Sequence, residues 1–179
     1  AILAHSVAAH AVVEARLSNV VLGAGHSLGE FSAHVVAGTL SFPDALRAVR
    51  LRGKLMFAAG GERAGTMAAV LGLDDETVRE VCRTCSDDES VVVPANYNSA
   101  GQVVVSGDAS AVERVMGALK AAGAKRVLPL NVSGAFHSPL MKTAEDGLQH
   151  ELEATQFSNP RFPVVSNVTA LPTRDGEQA

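Results

Sequence analysis

The sequence is poor in aromatic residues. Only 4% of its 179 residues are Phe, Tyr or Trp, and tryptophan is absent. Hydrophobic residues still make up 47% of the chain, which is enough to build a sizeable core. We therefore expect a globular protein whose core is filled by Ala, Val and Leu, arranged as one domain or as one domain with an inserted subdomain.

Long apolar runs and basic clusters are also missing. No apolar run approaches the length of about 20 residues that a membrane-spanning helix needs, and residues 1–15 lack the basic leader of a signal peptide. The net charge of -4 and the absence of basic clusters argue against a nucleic-acid surface. We expect a cytoplasmic protein with no membrane or nucleic-acid partner. Because the chain starts without Met in a helical pattern and stops in a polar tail at residues 173–179, we also expect a fragment.

Cysteine is scarce, with only Cys82 and Cys85. A C-x-x-C pair is compatible with a redox motif or with half of a zinc site. A second Cys or His pair at zinc spacing is lacking, and the two cysteines come late in a predicted helix. We interpret them as ordinary thiols of a reducing compartment and expect no metal.

Hydrophobic periodicity and Gly or Pro boundaries predict the elements outside the central part of the chain. Helices are predicted at residues 1–16, 28–37, 43–59 and 139–154, strands at 19–22 and 162–167, and loops at 60–65 and 132–138.

The central part follows a different pattern. It predicts strands at residues 67–71, 91–96, 102–106 and 125–130, and helices at 74–85 and 108–122, with Asp74 as an N-cap. The order β-α-β-β-α-β is typical of a ferredoxin-like unit. We expect this unit to occupy residues 65–130 as an insertion in a larger domain formed by residues 1–64 and 131–179.

Residues 25–29 read Gly-His-Ser-Leu-Gly and match the motif G-x-S-x-G between a predicted strand and a predicted helix. In that setting Ser27 lies on a sharp turn that exposes its hydroxyl. The following helix directs its first N–H groups, led by that of Leu28, at a developing oxyanion. We therefore predict Ser27 as a nucleophile.

A serine hydroxyl needs a positioned base. Of the six histidines, His137 has the most suitable context, because it lies in a loop between a predicted strand and a predicted helix. His26 neighbours the nucleophile, and we interpret it as a wall of an acyl pocket or a packing residue. The remaining histidines lie within predicted helices.

Several segments resemble the malonyl-CoA:acyl carrier protein transacylases and the acyltransferase domains of fatty acid and polyketide synthases. The similar segments, which together span nearly the whole chain, are residues 25–30, 51–54, 95–99, 102–107 and 134–141. The resemblance implies a core similar to the α/β-hydrolases, with a parallel sheet and the ferredoxin-like insertion. It also implies a monomer without a tightly bound cofactor.

The same resemblance implies a two-step reaction. Ser27 takes malonyl from coenzyme A as an ester, and the phosphopantetheine thiol of acyl carrier protein collects it, with His137 as base and then acid. By the match, Arg52 pairs with the malonyl carboxylate through two parallel hydrogen bonds. Phe136 beside His137 indicates a linear malonyl unit, and Met56, one turn after Arg52, is compatible either with this pocket or with the core.

Two segments of the family pattern are absent from this sequence. The upstream Gly-Gln-Gly segment completes the oxyanion hole, and a downstream Gln region orients the histidine, so we expect an incomplete site. A cluster of Lys120, Lys125 and Arg126 is a candidate surface for the acidic carrier protein, or a solvated helix end.

Other functions stay open. A serine hydrolase of the esterase type would also use Ser27 and His137, and would need a carboxylate such as Asp108 or Glu113 between them in sequence. An inactive module that binds acyl carrier protein without turnover is a further alternative. Either a free-standing enzyme or a synthase domain fits the sequence, and the continuous match favours the free-standing kind.

Overall fold

The computed structural model describes residues 1–176. Its contacts divide the chain into two compact units, one formed by Ala1–Gly53 and Leu148–Ala179 and the other by Lys54–Gly147. The helices are α1 (Ile2–Val13), α2 (Leu28–Ala37), α3 (Phe42–Glu62), α4 (Asp75–Cys85), α5 (Ala109–Ala121) and α6 (Lys142–Glu153). The strands are β1 (Gly23–Ala24), β2 (Gly65–Leu71), β3 (Val92–Ser99), β4 (Gln102–Asp108), β5 (Arg126–Pro129), β6 (Val164–Val165) and β7 (Pro172–Thr173).

The first unit contains a small mixed sheet in the order β1-β6-β7, with β1 parallel to β6 and β6 antiparallel to β7. Its core cluster centres on Leu3, Leu40 and Ala45, against which partly buried side chains of α2 pack. Helix α2 has the predicted bounds and ends at Gly38, whose φ of 82° places it in the left-handed region that a C-terminal glycine adopts readily.

The predicted strands of this unit were too long and in part misplaced. Residues 19–22 are not a strand, since Asn19 has a φ of 61° and a strand requires a hydrogen-bonded neighbour. Of residues 19–24, only Gly23 and Ala24 pair with a neighbouring strand, which is β6. The strand predicted at 162–167 is reduced to Val164–Val165, and β7 was not predicted at all.

The second unit is a four-stranded antiparallel sheet in the order β3-β4-β2-β5. The predicted order of two helices and four strands is confirmed, and Asp74 caps α4 by accepting the Thr77 N–H at 2.9 Å. Alternate residues of β2 and β4 face the core, where they meet α4 and α5. This cluster consists of Ala68, Val70, Val78, Cys82, Val92, Val103, Val105, Ala111, Val112, Val115, Leu119 and Val127.

Both cysteines are free thiols. Cys82 is 1% exposed within this core, and burial raises the pKa of its thiol to about 12, so it stays protonated. The interpretation of the pair as ordinary thiols agrees with this placement.

The loop predicted at residues 60–65 begins too early, because α3 continues to Glu62. A Cβ at Gly60 would lie 2.5 Å from the Ser133 carbonyl oxygen, so this glycine permits close packing of the helix against a loop. A glycine that serves packing was therefore misinterpreted as a helix end. At the C-terminal side, a 3-10 turn at Pro139–Met141 precedes α6, where one continuous helix was predicted.

Asp108 is a buried acidic residue of the second unit with several polar contacts. It is 5% exposed, binds the Arg63 guanidinium through both carboxylate oxygens, and accepts the Val91 N–H at 2.7 Å. Arg63 also donates to the Glu89 carbonyl oxygen at 2.6 Å. Asp108 directly precedes α5, in agreement with the helix predicted at residues 108–122, and its carboxylate binds Arg63 and makes no cap hydrogen bond to the helix.

We expect Asp108→Ala to lower the free energy of unfolding by about 1–3 kcal/mol, because it leaves the Val91 N–H without its acceptor and removes the partner of the half-exposed Arg63. Urea unfolding followed by circular dichroism measures this. The exposed Asp88→Ala serves as the control, and equal midpoints for the two variants would contradict a stabilising role for the ion pair.

No helix among the described residues is long and apolar enough to cross a membrane.

Candidate active site

Ser27 lies on the turn between β1 and α2, as predicted. Its backbone has φ 52° and ψ -106°, a region that non-glycine residues rarely occupy. Hydrogen bonds from the Gly29 N–H to the His26 carbonyl at 2.8 Å and from the Glu30 N–H to the Ser27 carbonyl at 3.2 Å close the turn. Strain of this kind is common at functional positions.

The two glycines that flank the turn differ in their roles. A Cβ at Gly25 would lie 2.0 Å from the carbonyl atoms of Gly29, so only glycine fits there. A Cβ at Gly29 would meet no described atom within 4 Å. Among the described residues, close packing therefore requires glycine at position 25 and not at position 29.

Arg52 is brought to the predicted nucleophile by α3. Its Nη2 donates to Ser27 Oγ at 2.7 Å, although the two residues are 25 positions apart. Burial lowers the pKa of the guanidinium below its ordinary value, but a guanidinium remains charged at neutral pH. The Arg52 guanidinium, which is positively charged and carries several N–H donors, therefore lies next to the Ser27 oxygen.

Asn167 was missed by sequence reasoning and contacts the same turn. Its Oδ1 accepts the Ser27 N–H at 2.7 Å, and its Nδ2 donates to the Gly25 carbonyl at 2.7 Å. Only its position after the apolar segment of β6 hinted at a role. Polar residues that follow a strand often serve a site at the sheet edge, but that signal is weak without the fold.

Glu30, in the first turn of α2, binds the same segment. Its carboxylate accepts the backbone N–H of Asn167 at 3.1 Å. Burial raises the pKa of this carboxyl group, and the hydrogen bond from Asn167 partly opposes that shift. The carboxylate therefore joins the start of α2 to the residue that follows β6.

Leu28 is the first residue of α2, and its N–H therefore has no acceptor within the helix. It is suitably placed in sequence to donate to an oxygen held near Ser27 Oγ.

The side chain of His26 is exposed among residues 1–176, so it is not a core residue. His34, further along α2, is 8% exposed, and burial lowers the pKa of its imidazole.

His137 belongs to the second unit and lies in the predicted loop. It has a φ of 58°, so it too adopts a sparsely populated backbone conformation. The loop is fixed on both sides of the histidine. Ser138 Oγ donates to the Ala135 carbonyl at 2.6 Å, and the Met141 N–H donates to the Ser138 carbonyl at 3.0 Å.

Phe136 and Met56 pack in one cluster of the second unit. Its buried members are Ala59, Met141 and Ala144, and its partly buried members are Leu55, Met56 and Phe136. The neighbouring residues are packed closely too: a Cβ at Gly134 would lie 3.6 Å from the Phe136 ring, and a Cβ at Gly65 would lie 2.6 Å from that of Ala135. The residue before His137 is therefore held by apolar packing.

The acyl transferase domain family matches residues 4–178 of this chain. The malonyl CoA-acyl carrier protein transacylase of Escherichia coli (strain K12) is 50% identical over 154 residues, which is 86% of this chain and 50% of that protein. The transacylase of the same name from Staphylococcus aureus (strain MSSA476) is 44% identical over 177 residues, which is 99% of this chain. The chain spans 57% of the length of that relative.

A solved structure of a type II polyketide synthase acyl-carrier protein in complex with its malonyl-transacylase superimposes with a TM-score of 0.92. The two sequences are 47% identical, and the match covers 98% of this chain and 57% of the other. The chain therefore has the mixed α/β fold of the structures it matches.

Proposed function

Because the chain belongs to the acyl transferase domain family, we propose that its protein transfers a malonyl group from coenzyme A to the phosphopantetheine thiol of acyl carrier protein. The observation that carries the proposal is the Arg52 guanidinium 2.7 Å from Oγ of a strained Ser27. A malonyl ester on Ser27 places its free carboxylate three bonds from that oxygen. A guanidinium is the donor that matches such a carboxylate.

In the proposed first half-reaction, Ser27 Oγ attacks the thioester carbonyl while His137 takes its proton. The carbon–sulfur bond then breaks, and His137 returns the proton to the coenzyme A thiolate. In the second half-reaction the carrier thiol loses its proton to His137 and attacks the seryl ester, and Ser27 Oγ leaves with that proton. The Leu28 N–H stabilises the oxyanion in both halves.

We propose that Arg52 selects the malonyl group. In Arg52→Ala, acylation by malonyl-CoA should fall about 10- to 100-fold relative to acylation by acetyl-CoA, since a charge-assisted hydrogen-bonded pair is lost. Initial rates with each thioester give this ratio. Arg50→Ala, an exposed change on the same helix, is the control. An unchanged ratio in Arg52→Ala would contradict the assignment.

We also propose that Phe136 and Met56 line the acyl pocket, with His26 at its wall. The apolar cluster that holds Phe136 supports a fixed ring beside the α-carbon, where bulk disfavours a methyl branch. One methyl group contributes only about 1–3 kcal/mol of discrimination. For the carrier protein we propose Lys120, Lys125 and Arg126, all exposed, as a basic docking cluster.

The finer architecture forms part of the proposal. We assign residues 65–130 to a ferredoxin-like subdomain, supported by the strand order β3-β4-β2-β5. We assign residues 1–64 and 131–179 to a catalytic core similar to the α/β-hydrolases, supported by the parallel pair β1 and β6 and by the strained turn at Ser27. We further propose a cytoplasmic monomer that needs no bound cofactor.

A serine hydrolase is the second enzymatic candidate, but the described contacts favour it less. The carboxylate of Asp108 is occupied by Arg63 and the Val91 N–H, and Glu113 is an exposed residue of α5. Neither arrangement suits a carboxylate that must orient a catalytic histidine.

Intact-protein mass spectrometry of the full-length gene product, after mixing with malonyl-CoA, tests the proposed function. We expect a covalent malonyl adduct that disappears when holo acyl carrier protein is added, with malonyl-carrier protein as product. An adduct that decays to malonate at the same rate without carrier would support the hydrolase. Carrier binding without any adduct would support the inactive module.

A further inference from the structure

We propose that Asn167 is a positioning residue, whose side-chain amide holds Ser27 in its reactive geometry. This inference rests on the proposed function in one respect, namely that Ser27 is the nucleophile. Asn167 lies 140 residues away in sequence and contacts the turn through two hydrogen bonds of 2.7 Å each. No substrate contact is assigned to it.

The amide contacts the turn on both sides of His26. It accepts the N–H of Ser27 and donates to the carbonyl of Gly25. A neutral amide is the side-chain group that offers one acceptor and one donor at this spacing. Its orientation is set by these two backbone partners, since an N–H requires an acceptor and a carbonyl requires a donor.

The contact matters because the turn is strained. Ser27 has φ 52° and ψ -106°, and such a conformation persists only where the surroundings hold it. The backbone N–H groups of Gly29 and Glu30 connect the turn to its own helix, and Arg52 donates to Ser27 Oγ. Asn167 adds a contact from a distant segment, and the Glu30 carboxylate holds the backbone N–H of that segment at 3.1 Å.

A second consequence concerns the oxyanion. The Ser27 N–H is directed at Asn167 Oδ1, so it is not available to an oxyanion beside Oγ. Within this turn the Leu28 N–H is then the next backbone donor, at the first position of α2. Asn167 therefore both fixes the nucleophile and separates its N–H from the reacting oxygen.

Asn167→Asp tests the proposal most sharply, because it changes one donor into an acceptor at nearly constant shape. The ionised carboxylate still accepts the Ser27 N–H but repels the Gly25 carbonyl. When protonated, it offers a donor and an acceptor again, as the amide does. Protonation, as the pH falls toward the ordinary aspartate pKa of about 3.9, therefore restores the donor that the Gly25 carbonyl requires.

The experiment measures the rate at which a fluorophosphonate modifies Ser27 in the full-length gene product. The rate is divided by the concentration of folded protein, which circular dichroism gives. Phosphorus bonds to Oγ, fluoride leaves, and the hydroxyl proton passes to a base. We expect Asn167→Asp to react about 10- to 100-fold more slowly than wild type near neutral pH, since small displacements of a nucleophile have large effects. Its rate relative to wild type should rise as the pH falls to about 5.

Two further variants separate positioning from stability. Asn167→Ala should be slow at every pH, because it has no carboxyl group to protonate. Asn159→Asp, whose parent residue accepts the Gly176 N–H at 3.0 Å in the same unit, should match wild type. A rate for Asn167→Asp within twofold of Asn159→Asp, or a loss that is independent of pH, would overturn the proposal.

The same samples are then given malonyl-CoA. If wild type reacts with the fluorophosphonate but accepts no malonyl group, the proposed function fails while the comparison of Asn167 variants remains valid. If wild type accepts malonyl and the Asn167 variants do so at the wild-type rate, the positioning role fails while the proposed function stands.

Discussion

Ser27→Ala should abolish the covalent malonyl adduct and lower transfer to acyl carrier protein by about 10⁶-fold, the loss found when a serine nucleophile is removed from an enzyme that depends on it. The physical reason is that Ala has no oxygen to form the ester. Arg52 and the Leu28 N–H then still bind substrate but cannot store the acyl group, and a two-step reaction has no intermediate.

Intact-protein mass spectrometry after mixing with malonyl-CoA measures the adduct, and radiolabelled malonyl measures transfer. Ser18→Ala, a change at an exposed serine of the same unit, should acylate like wild type. A persisting adduct in Ser27→Ala would show that another residue accepts the acyl group. Unchanged affinity for malonyl-CoA in this variant would confirm that the loss concerns chemistry and not binding.

His137→Ala should slow both half-reactions by about 10²- to 10⁴-fold, the usual contribution of a general acid–base group. In the first half the Ser27 hydroxyl loses its proton acceptor. In the second half the carrier thiol loses the same acceptor, and the leaving serine oxygen loses its proton donor. In the proposed mechanism one imidazole serves all these transfers, so the two rates should fall together.

Rapid mixing separates the two steps, since acylation is followed with malonyl-CoA alone and deacylation with holo carrier protein added to preformed acyl-enzyme. His150→Ala, an exposed histidine of α6, is the matched control. Added imidazole should restore part of the lost rate in His137→Ala. A variant slow in only one half-reaction would contradict the shared role and assign His137 to substrate binding.

Elements whose interactions are local could be predicted from the sequence. Helix α2 was predicted with its end at Gly38, and α4 with its cap at Asp74, because the pattern and the capping residue lie within a few positions. The order of strands and helices in residues 65–130 followed from the change in hydrophobic period. The serine turn was equally local, since its motif and its neighbouring elements are consecutive.

Predictions failed where the outcome depended on distant partners. Residues 19–22 looked like a strand, but pairing with β6 begins only at Gly23. Gly60 looked like a helix end, but its missing Cβ makes room for the Ser133 carbonyl. In each case a contact distant in sequence outweighed a local preference.

In the candidate site, too, local features could be predicted from the sequence and contacts between distant residues could not. The amino-acid sequence by itself predicted the sharp turn at Ser27 and proposed this serine as the nucleophile, because glycine spacing and helix start are properties of neighbouring residues. The tertiary structure alone decided that the Arg52 guanidinium contacts Ser27 Oγ and that the Asn167 amide contacts the backbone of the turn. Hydrogen bonds act only over about 3 Å, and which residues come that close is set by the packing of helices and strands.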